Sequence, residues 1–295
     1  MSAQPALKSR SVRPMVDGEF VFTEDDFRKI SAMAHGDAGI ALHETKATLV
    51  YSRLAKRLRA LGLTSFQDYC ALVAGHDGVD ERQKMLAALT TNVTRFFREP
   101  HHFDHLRDKV LPPLLAAARA GGRVRLWSSA CSSGQEPYSM AMTVLSLAPD
   151  AANLDVKILA TDIDPNMVAE ARRGVYSLSL LAGMPDDLRR RWTTPVAGRA
   201  GEARIADEAR ALISFNELNL IGDWPMKGRF DAIFCRNVAI YFDDDTQARL
   251  WRRFAPLLPV GGALYIGHSE RVAGPAAACF QPDGVTTYRL TREMG

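Results

Sequence analysis

Apolar positions follow two regimes along the chain. From Thr23 to Thr91 they recur at helical spacing. Thr23-Glu24-Asp25-Asp26 reads as an N-cap followed by an acidic first turn, and Phe27, Ile30 and Ala34 continue one apolar face. The same spacing predicts helices over residues 42–61, 65–73 (capped by Thr64 or Ser65) and 81–91. On the second of these, Val50, Leu54, Leu58 and Leu61 share a stripe suited to a core. Beyond Pro100 the pattern changes. A helical stretch over 103–120 contains Pro112-Pro113, a break or a new helix start, and Gly121-Gly122 ends it. Short apolar runs then alternate with amphipathic ones: strands at 123–128, 156–160, 229–235, 262–266 and 285–290, and helices at 137–147, 165–173 and 245–258.

This alternation predicts an open, mostly parallel α/β sheet behind a small all-helical domain. The expected division is a disordered leader over 1–22, a helical domain over 23–91, a connecting helical segment over 92–120, and an α/β domain over 121–295. Between Gly174 and Asn219 the alternation lapses. A polar helix over 185–192 and two β-like runs, 203–206 and 211–215, suggest a small β insertion near 193–216.

Composition narrows the class. An apolar fraction of 47% and a charged fraction of 24% belong to an ordinary globular protein. No apolar run approaches the roughly 18 residues that span a bilayer, and the basic N-terminus lacks the apolar core of a secretory signal. A net charge of +3 does not imply nucleic acid. Cys70, Cys131, Cys235 and Cys279 form no CxxC pair, so neither a metal site nor a disulfide framework is expected, and a cytoplasmic protein with reduced thiols is.

Candidate chemistry lies where strands end. The first strand runs into Ser128-Ser-Ala-Cys-Ser-Ser-Gly-Gln-Glu136, small residues at a strand-to-helix turn that admit a ligand close to the backbone. It lacks GxGxxG and a Walker lysine, so it suits a phosphate-free nucleoside or is an ordinary βα turn. The second strand ends at Asp162, placed to accept hydrogen bonds from ribose hydroxyls, with Asp164 before Pro165 as a helix cap. Arg236 and Asn237 interrupt an apolar run at the next strand tip, either as substrate-facing residues or as a surface residue and a cap. His268, after the strand at 262–266, is expected to be structural. On the helix at 42–61, Lys46, Arg53 and Arg57 form a basic strip with Lys56 and Arg59 further round, either a solvated face or a docking surface for an acidic partner.

Taken together, Thr91-Asn-Val-Thr-Arg-Phe-Phe-Arg98-Glu, Trp127–Tyr138 with CSSGQEPYS, Leu159-Ala-Thr-Asp162-Ile-Asp, Asn219-Leu220, Phe230–Asn237 with Ile240-Tyr-Phe, and Gly267-His-Ser-Glu270 resemble the chemotaxis receptor glutamate methyltransferases, the CheR family. The resemblance spans nearly the whole chain after the leader. It implies a class I S-adenosylmethionine methyltransferase domain with a Rossmann-like sheet and a small β-subdomain, behind an N-terminal helical domain. It also implies that Asn92, Thr94, Arg98, Glu136, Asp162, Asn219, Leu220, Arg236 and Asn237 contact S-adenosylmethionine, and that Arg98 and Tyr241 face the reacting groups. The cofactor site then extends onto the 92–120 segment. The implied acceptor is a glutamate on the glutamate-rich helices of a chemoreceptor's cytoplasmic domain, with S-adenosylhomocysteine as second product. Lys46, Arg53, Lys56 and Arg57 become the receptor-docking candidates. A monomer without direct membrane insertion or a nucleic-acid partner is expected.

A glutamate side chain, with a reference pKa of about 4.3, is already a nucleophile at neutral pH, so no general base is required. Alignment and water exclusion are the remaining tasks. Because the step neutralises charge, a strong cationic clamp would favour the ground state, and Arg98 is expected to position rather than to drive. The rival readings are a methyltransferase for another acceptor and a non-catalytic cofactor-binding receptor-docking module. The Asn/Asp-Pro-Pro-Tyr motif of adenine methylation is absent.

Overall fold

The computed structural model describes residues 14–294, and the chain divides into two compact units, Met1–Thr90 and Thr91–Gly295. The first holds α1 (Glu24–Ala38), α2 (Ala47–Leu61), α3 (Phe66–Ala74) and α4 (Val79–Leu89). Thr23 caps α1 as expected: its hydroxyl accepts from Asp26 N at 3.1 Å, while the Asp26 carboxylate accepts from Thr23 N at 3.0 Å. Ser65 caps α3 through its hydroxyl, which accepts from Asp68 N at 3.1 Å. Val50, Leu54 and Leu58 on α2 are buried with Ile30, Phe66 and Met85, whereas Leu61 at the helix end is 40% exposed.

Of the leader expected to be disordered, residues 1–13 lie outside the described residues. Residues 14–22 correct that expectation. Phe20 and Phe22 are buried, their rings 6.4 and 4.4 Å from that of Phe66, and Phe20 N donates to the Tyr51 hydroxyl. Two aromatic side chains removed from water outweigh the polar composition around them.

The second unit opens with an extended stretch, then α5 (Pro100–His105), a π-helical turn at Leu106–Val110, and α6 (Leu111–Arg119). The helical backbone is continuous from Pro100 to Arg119, so Pro112-Pro113 follow a π-helical turn inside it and do not start a separate helix. Then follow β1 (Arg123–Ser128), α7 (Gln135–Leu147), β2 (Asp155–Asp162), α8 (Pro165–Arg173), β3 (Val175–Ser177), α9 (Leu178–Leu181), α10 (Asp186–Trp192), β4 (Thr193–Pro195), β5 (Glu202–Ile205), α11 (Asp207–Ala211), β6 (Ile213–Glu217), β7 (Ala232–Cys235), α12 (Asp244–Phe254), β8 (Ala263–Ile266), β9 (Phe280–Gly284) and β10 (Thr287–Leu290).

Seven strands form one sheet in the order β6-β2-β1-β7-β8-β10-β9. The first five are mutually parallel, and β10 runs antiparallel between β8 and β9. Both faces are covered. Leu126, Phe234 and Tyr265 join one apolar cluster, and their neighbours Trp127, Ile233, Cys235, Leu264 and Ile266 join the other, as the two-residue period of a strand requires. β3, β5 and β4 make a separate small antiparallel sheet spanning 175–205, which begins earlier than the insertion expected near 193–216 because β3 pairs with β5. Its second expected strand is a correction: β6 pairs with β2 and belongs to the main sheet. The alternation of Ile213 and Phe215 suits an edge strand with one face on the core.

Candidate functional site

The carboxyl ends of the five parallel strands all lie on one edge, and the strand order reverses between β1 and β7. That reversal marks the place where open α/β sheets hold ligands. Glu136 reaches it from the first turn of α7 and Arg236 from the residue after β7. Arg236 Nη1 donates to Glu136 Oε2 at 3.0 Å, and Ser128 Oγ donates to Oε1 at 2.7 Å. Burial raises the Glu136 pKa, with Arg236 opposing. On its other side Arg236 Nη2 lies 3.1 Å from Glu99 Oε2 and donates to the Arg98 carbonyl. The Phe103 ring lies 5.7 Å from the guanidinium. Arg236 is therefore a buried brace shared by two carboxylates, not a surface residue.

The loop after β1 is stitched to its neighbours. Ser129 N donates to the Phe234 carbonyl on β7, and Cys131 N to the Thr161 carbonyl on β2. Gly134 has φ +98, and a Cβ there would come within 2.8 Å of Ala171 and 2.9 Å of the Tyr176 hydroxyl. Only glycine fits that turn. Asp162, at the β2 tip, accepts from Ser132 N at 2.7 Å and from Asp164 N at 3.0 Å. Burial raises its pKa, with the backbone donors opposing. A carboxylate accepts about four hydrogen bonds, so Asp162 keeps capacity for hydroxyl donors. Asp164 caps α8 through Asn166 N, as expected.

The segment from Thr91 to Glu99 runs along this edge. Ser132 Oγ donates to the Asn92 carbonyl at 3.2 Å, and Asn92 Nδ2 lies 3.5 Å from Asp164 Oδ2. Phe96 is buried edge-on to Tyr176, and Phe97 N donates to Ser139 Oγ. Thr94 and Arg98 are half-buried, and Arg98 Nη1 donates to the Val93 carbonyl at 2.9 Å. The Tyr241 hydroxyl accepts from Thr91 N at 3.1 Å and donates to Thr91 O at 3.3 Å. Arg98 and Tyr241 are thus both folded onto the 91–98 segment.

Asn219 and Leu220 follow the β6 tip. Asn219 Oδ1 accepts from Ile221 N, and Leu220 is buried with its carbonyl accepting from Arg253 Nη1 at 2.8 Å. Asn237 follows Arg236 at φ +58, with its N–H on Glu270 Oε2 at 3.0 Å. Among the described residues, five non-glycines have positive φ, and four of them (Phe97, Glu99, Ser132 and Asn237) lie in these segments. Such conformations persist where surrounding contacts over-determine them, typically at ligand sites.

Two carboxylates escaped the sequence reading. Buried Glu270 accepts from the backbone N–H groups of Asn237, Val238, Ile240 and Gly267, joining the β7 and β8 tips. Glu99 Oε1 lies 3.1 Å from His268 Nδ1, which gives His268 a structural partner. Burial opposes ionisation of Glu99 more than any single effect, but Arg236 and His268 together hold its carboxyl at about 2. Each glutamate ends a quoted motif, but its partners lie on other segments of the chain. Among the described residues, Glu99, His101 and His102 also bring three potential ligand atoms within 4.8 Å, and Arg236 already supplies a positive charge there.

The basic strip on α2 is not one surface. Arg57 forms a two-pronged pair with Glu81 at 2.8 and 2.7 Å, and Glu81 is 6% exposed. Arg53 Nη1 donates to the carbonyls of Ala88, Leu89 and Thr90 at the end of α4. The Arg57 charge is paired inside the helical unit and the Arg53 guanidinium is turned onto the carboxyl end of α4, so the two do not form the plain solvated face that the strip offered. Lys46 and Lys56 are exposed.

A parallel sheet with one antiparallel strand inserted next to its last, a phosphate-free loop after β1 and an acid at the β2 tip define a class I S-adenosylmethionine-dependent methyltransferase. Residues 92–288 match the family model "CheR methyltransferase, SAM binding domain", and residues 25–90 match "CheR methyltransferase, all-alpha domain". The chain is 44% identical over 254 residues to "Chemotaxis protein methyltransferase 2" of Pseudomonas aeruginosa, covering 85% of this chain and 88% of that protein. It is 41% identical over 272 residues to "Chemotaxis protein methyltransferase" of Escherichia coli, covering 90% and 91%. A "Probable chemotaxis protein methyltransferase" of Rhizobium etli is 59% identical over 261 residues, covering 88% and 97%. The chain belongs to the CheR methyltransferase family.

The residues present fit S-adenosylmethionine. The loop offers close backbone approach without a phosphate cradle, Asp162 offers free acceptor capacity, and buried carboxylates suit a cationic cofactor. Among the described residues, no helix is long and apolar enough to cross a membrane.

Proposed function

We propose that this methyltransferase esterifies glutamate side chains on the cytoplasmic helices of chemoreceptors. The observation that carries the reading is the convergence of the 91–99 segment with the β1, β2 and β7 tips. When bound, S-adenosylmethionine supplies an electrophilic methyl group. Asp162 would hold the ribose, and Asn92, Thr94, Glu136, Asn219, Leu220 and Asn237 would line the rest of its site. Arg236 acts behind them by holding Glu136 and the Arg98 carbonyl.

A carboxylate acceptor is ionised at neutral pH, so no side chain has to remove a proton. The protein's part is to align the acceptor and keep water out. Arg98 and Tyr241 orient the acceptor from the segment and the β7 side, and Arg98 does so without a strong ground-state clamp. Lys46 and Lys56 supply positive charge toward an acidic helix, chiefly raising the association rate.

The test is transfer of tritiated methyl from S-adenosylmethionine to receptor-containing membranes. Base-labile release of methanol identifies a carboxyl ester. Base-stable label identifies another acceptor, and cofactor binding without transfer identifies a docking module.

A further inference from the structure

We infer that Glu99 is a positioning residue for Arg98, holding the acceptor-side half of the 91–99 segment independently of its cofactor-side half. The inference rests on the function proposed above.

The backbone states the problem. Phe97 (φ +50) and Glu99 (φ +57) bracket Arg98, and both are left-handed residues with a Cβ. Something has to hold that shape. The first half of the segment is held at Asn92 by Ser132 and Asp164. The second half uses different partners. Phe97 N is on Ser139, and the Arg98 carbonyl is on Arg236. The Glu99 carboxylate lies between Arg236 at 3.1 Å and the ring and backbone nitrogens of His268 at 3.1 and 3.3 Å. Glu99 therefore fixes the guanidinium that fixes Arg98, and ties both to the tip of β8.

His102 sharpens the assignment. Its Nε2 faces the Val285 carbonyl at 3.2 Å and Thr286 Oγ1 at 2.9 Å. A carbonyl only accepts, so Nε2 carries the hydrogen and Nδ1 presents a lone pair. That Nδ1 lies 3.5 Å from Glu99 Oε2 and gives it no donor. The Glu99 charge is thus answered by Arg236 and His268. A glutamine at 99 can donate its amide to His102 Nδ1, so Glu99→Gln preserves packing while removing the ionic hold on Arg236.

The full chain carrying Glu99→Gln is compared with wild type in single-turnover methylation, S-adenosylhomocysteine affinity and thermal stability. The expected result is a rate lowered about tenfold, as misalignment of a reacting group gives. Cofactor affinity should stay within about threefold, the split that separates positioning from binding. The melting temperature should shift by less than about 4 °C. His268→Ala, at an exposed position, should lower the same rate about threefold with unchanged affinity. A wild-type rate in Glu99→Gln overturns the inference, as does a parallel loss of rate, affinity and stability. If Glu99→Gln does not fold, a wild-type rate in His268→Ala overturns it. Absence of transfer by the wild-type chain counts against the proposed function, whereas transfer by wild type and Glu99→Gln alike overturns only the role of Glu99.

Discussion

Arg236 and Glu136 meet at 3.0 Å across the point where the strand order reverses, so the two halves of the sheet are joined by a buried ion pair at its carboxyl edge. Replacing Arg236 by Met leaves Glu136 and Glu99 without their shared cation. Breaking a buried pair from one side costs about 3–5 kcal/mol, and that loss is expected in urea denaturation. The double variant Arg236→Met with Glu136→Gln should recover part of it, because the uncompensated charge is gone. Equal stability of the two variants would contradict the pairing.

Gly267 packs closely against Asn237. A Cβ at 267 would lie 2.5 Å from Asn237 Nδ2 and 2.8 Å from its backbone nitrogen, and backbone cannot yield cheaply. Gly267→Ala should therefore displace Asn237 and weaken S-adenosylmethionine binding about tenfold, the loss of a good hydrogen bond, measurable by calorimetry. Undiminished affinity would remove Asn237 from the cofactor site.

In the helical unit, the four basic candidates should separate into two classes. Arg57→Ala strands buried Glu81 and should destabilise that unit by about 2–3 kcal/mol. Lys56→Ala and Lys46→Ala, at exposed positions, should leave stability unchanged but raise the acceptor KM and flatten its salt dependence. Initial-rate assays over a range of salt concentrations check this. An acceptor KM indifferent to both lysines would leave α2 without a docking role.

Acidification should destabilise the second unit in two stages. Burial, helped by Arg236 and His101, pushes the His102 pKa from 6.5 down to about 3. The unfolded chain takes that proton below 6.5 while the folded one stays neutral, so this stabilisation is complete above 6.5 and drains away as pH falls toward 3. The slope approaches about 1.4 kcal/mol per pH unit. Glu99 has its pKa lowered from 4.5 to about 2, so its contribution is present above 4.5 and is lost as pH falls through 2. Urea denaturation of His102→Asn should show a shallower slope below about pH 6.5. A slope identical to wild type would contradict the neutral buried imidazole.

The helical and α/β regimes were legible because each obeys a local period. The cap at Thr23, the strands β1, β2, β7, β8 and β10 and the Asp164 cap follow from neighbours in sequence. What was not legible depends on partners far along the chain. Arg57 looks like surface charge until Glu81 is placed opposite it, 24 residues away. Arg236 looks like a ligand contact until Glu99 and Glu136 enclose it, and Glu270 carries no periodic signal because its partners are backbone N–H groups of another loop. β6 was read as part of the insertion because its pairing with β2 crosses about fifty residues. The positive φ values of Phe97 and Glu99 are likewise invisible to a pattern of apolar positions, since neither is glycine.

The acceptor is the central claim, and mass spectrometry of receptor helices after incubation with the purified chain and S-adenosylmethionine tests it most directly. A single methyl increment on glutamate side chains is expected, released by mild base as methanol and reduced about tenfold with Arg98→Ala. Methylation confined to lysine, arginine or nucleic acid, or none on any glutamate while S-adenosylmethionine binds normally, would contradict it.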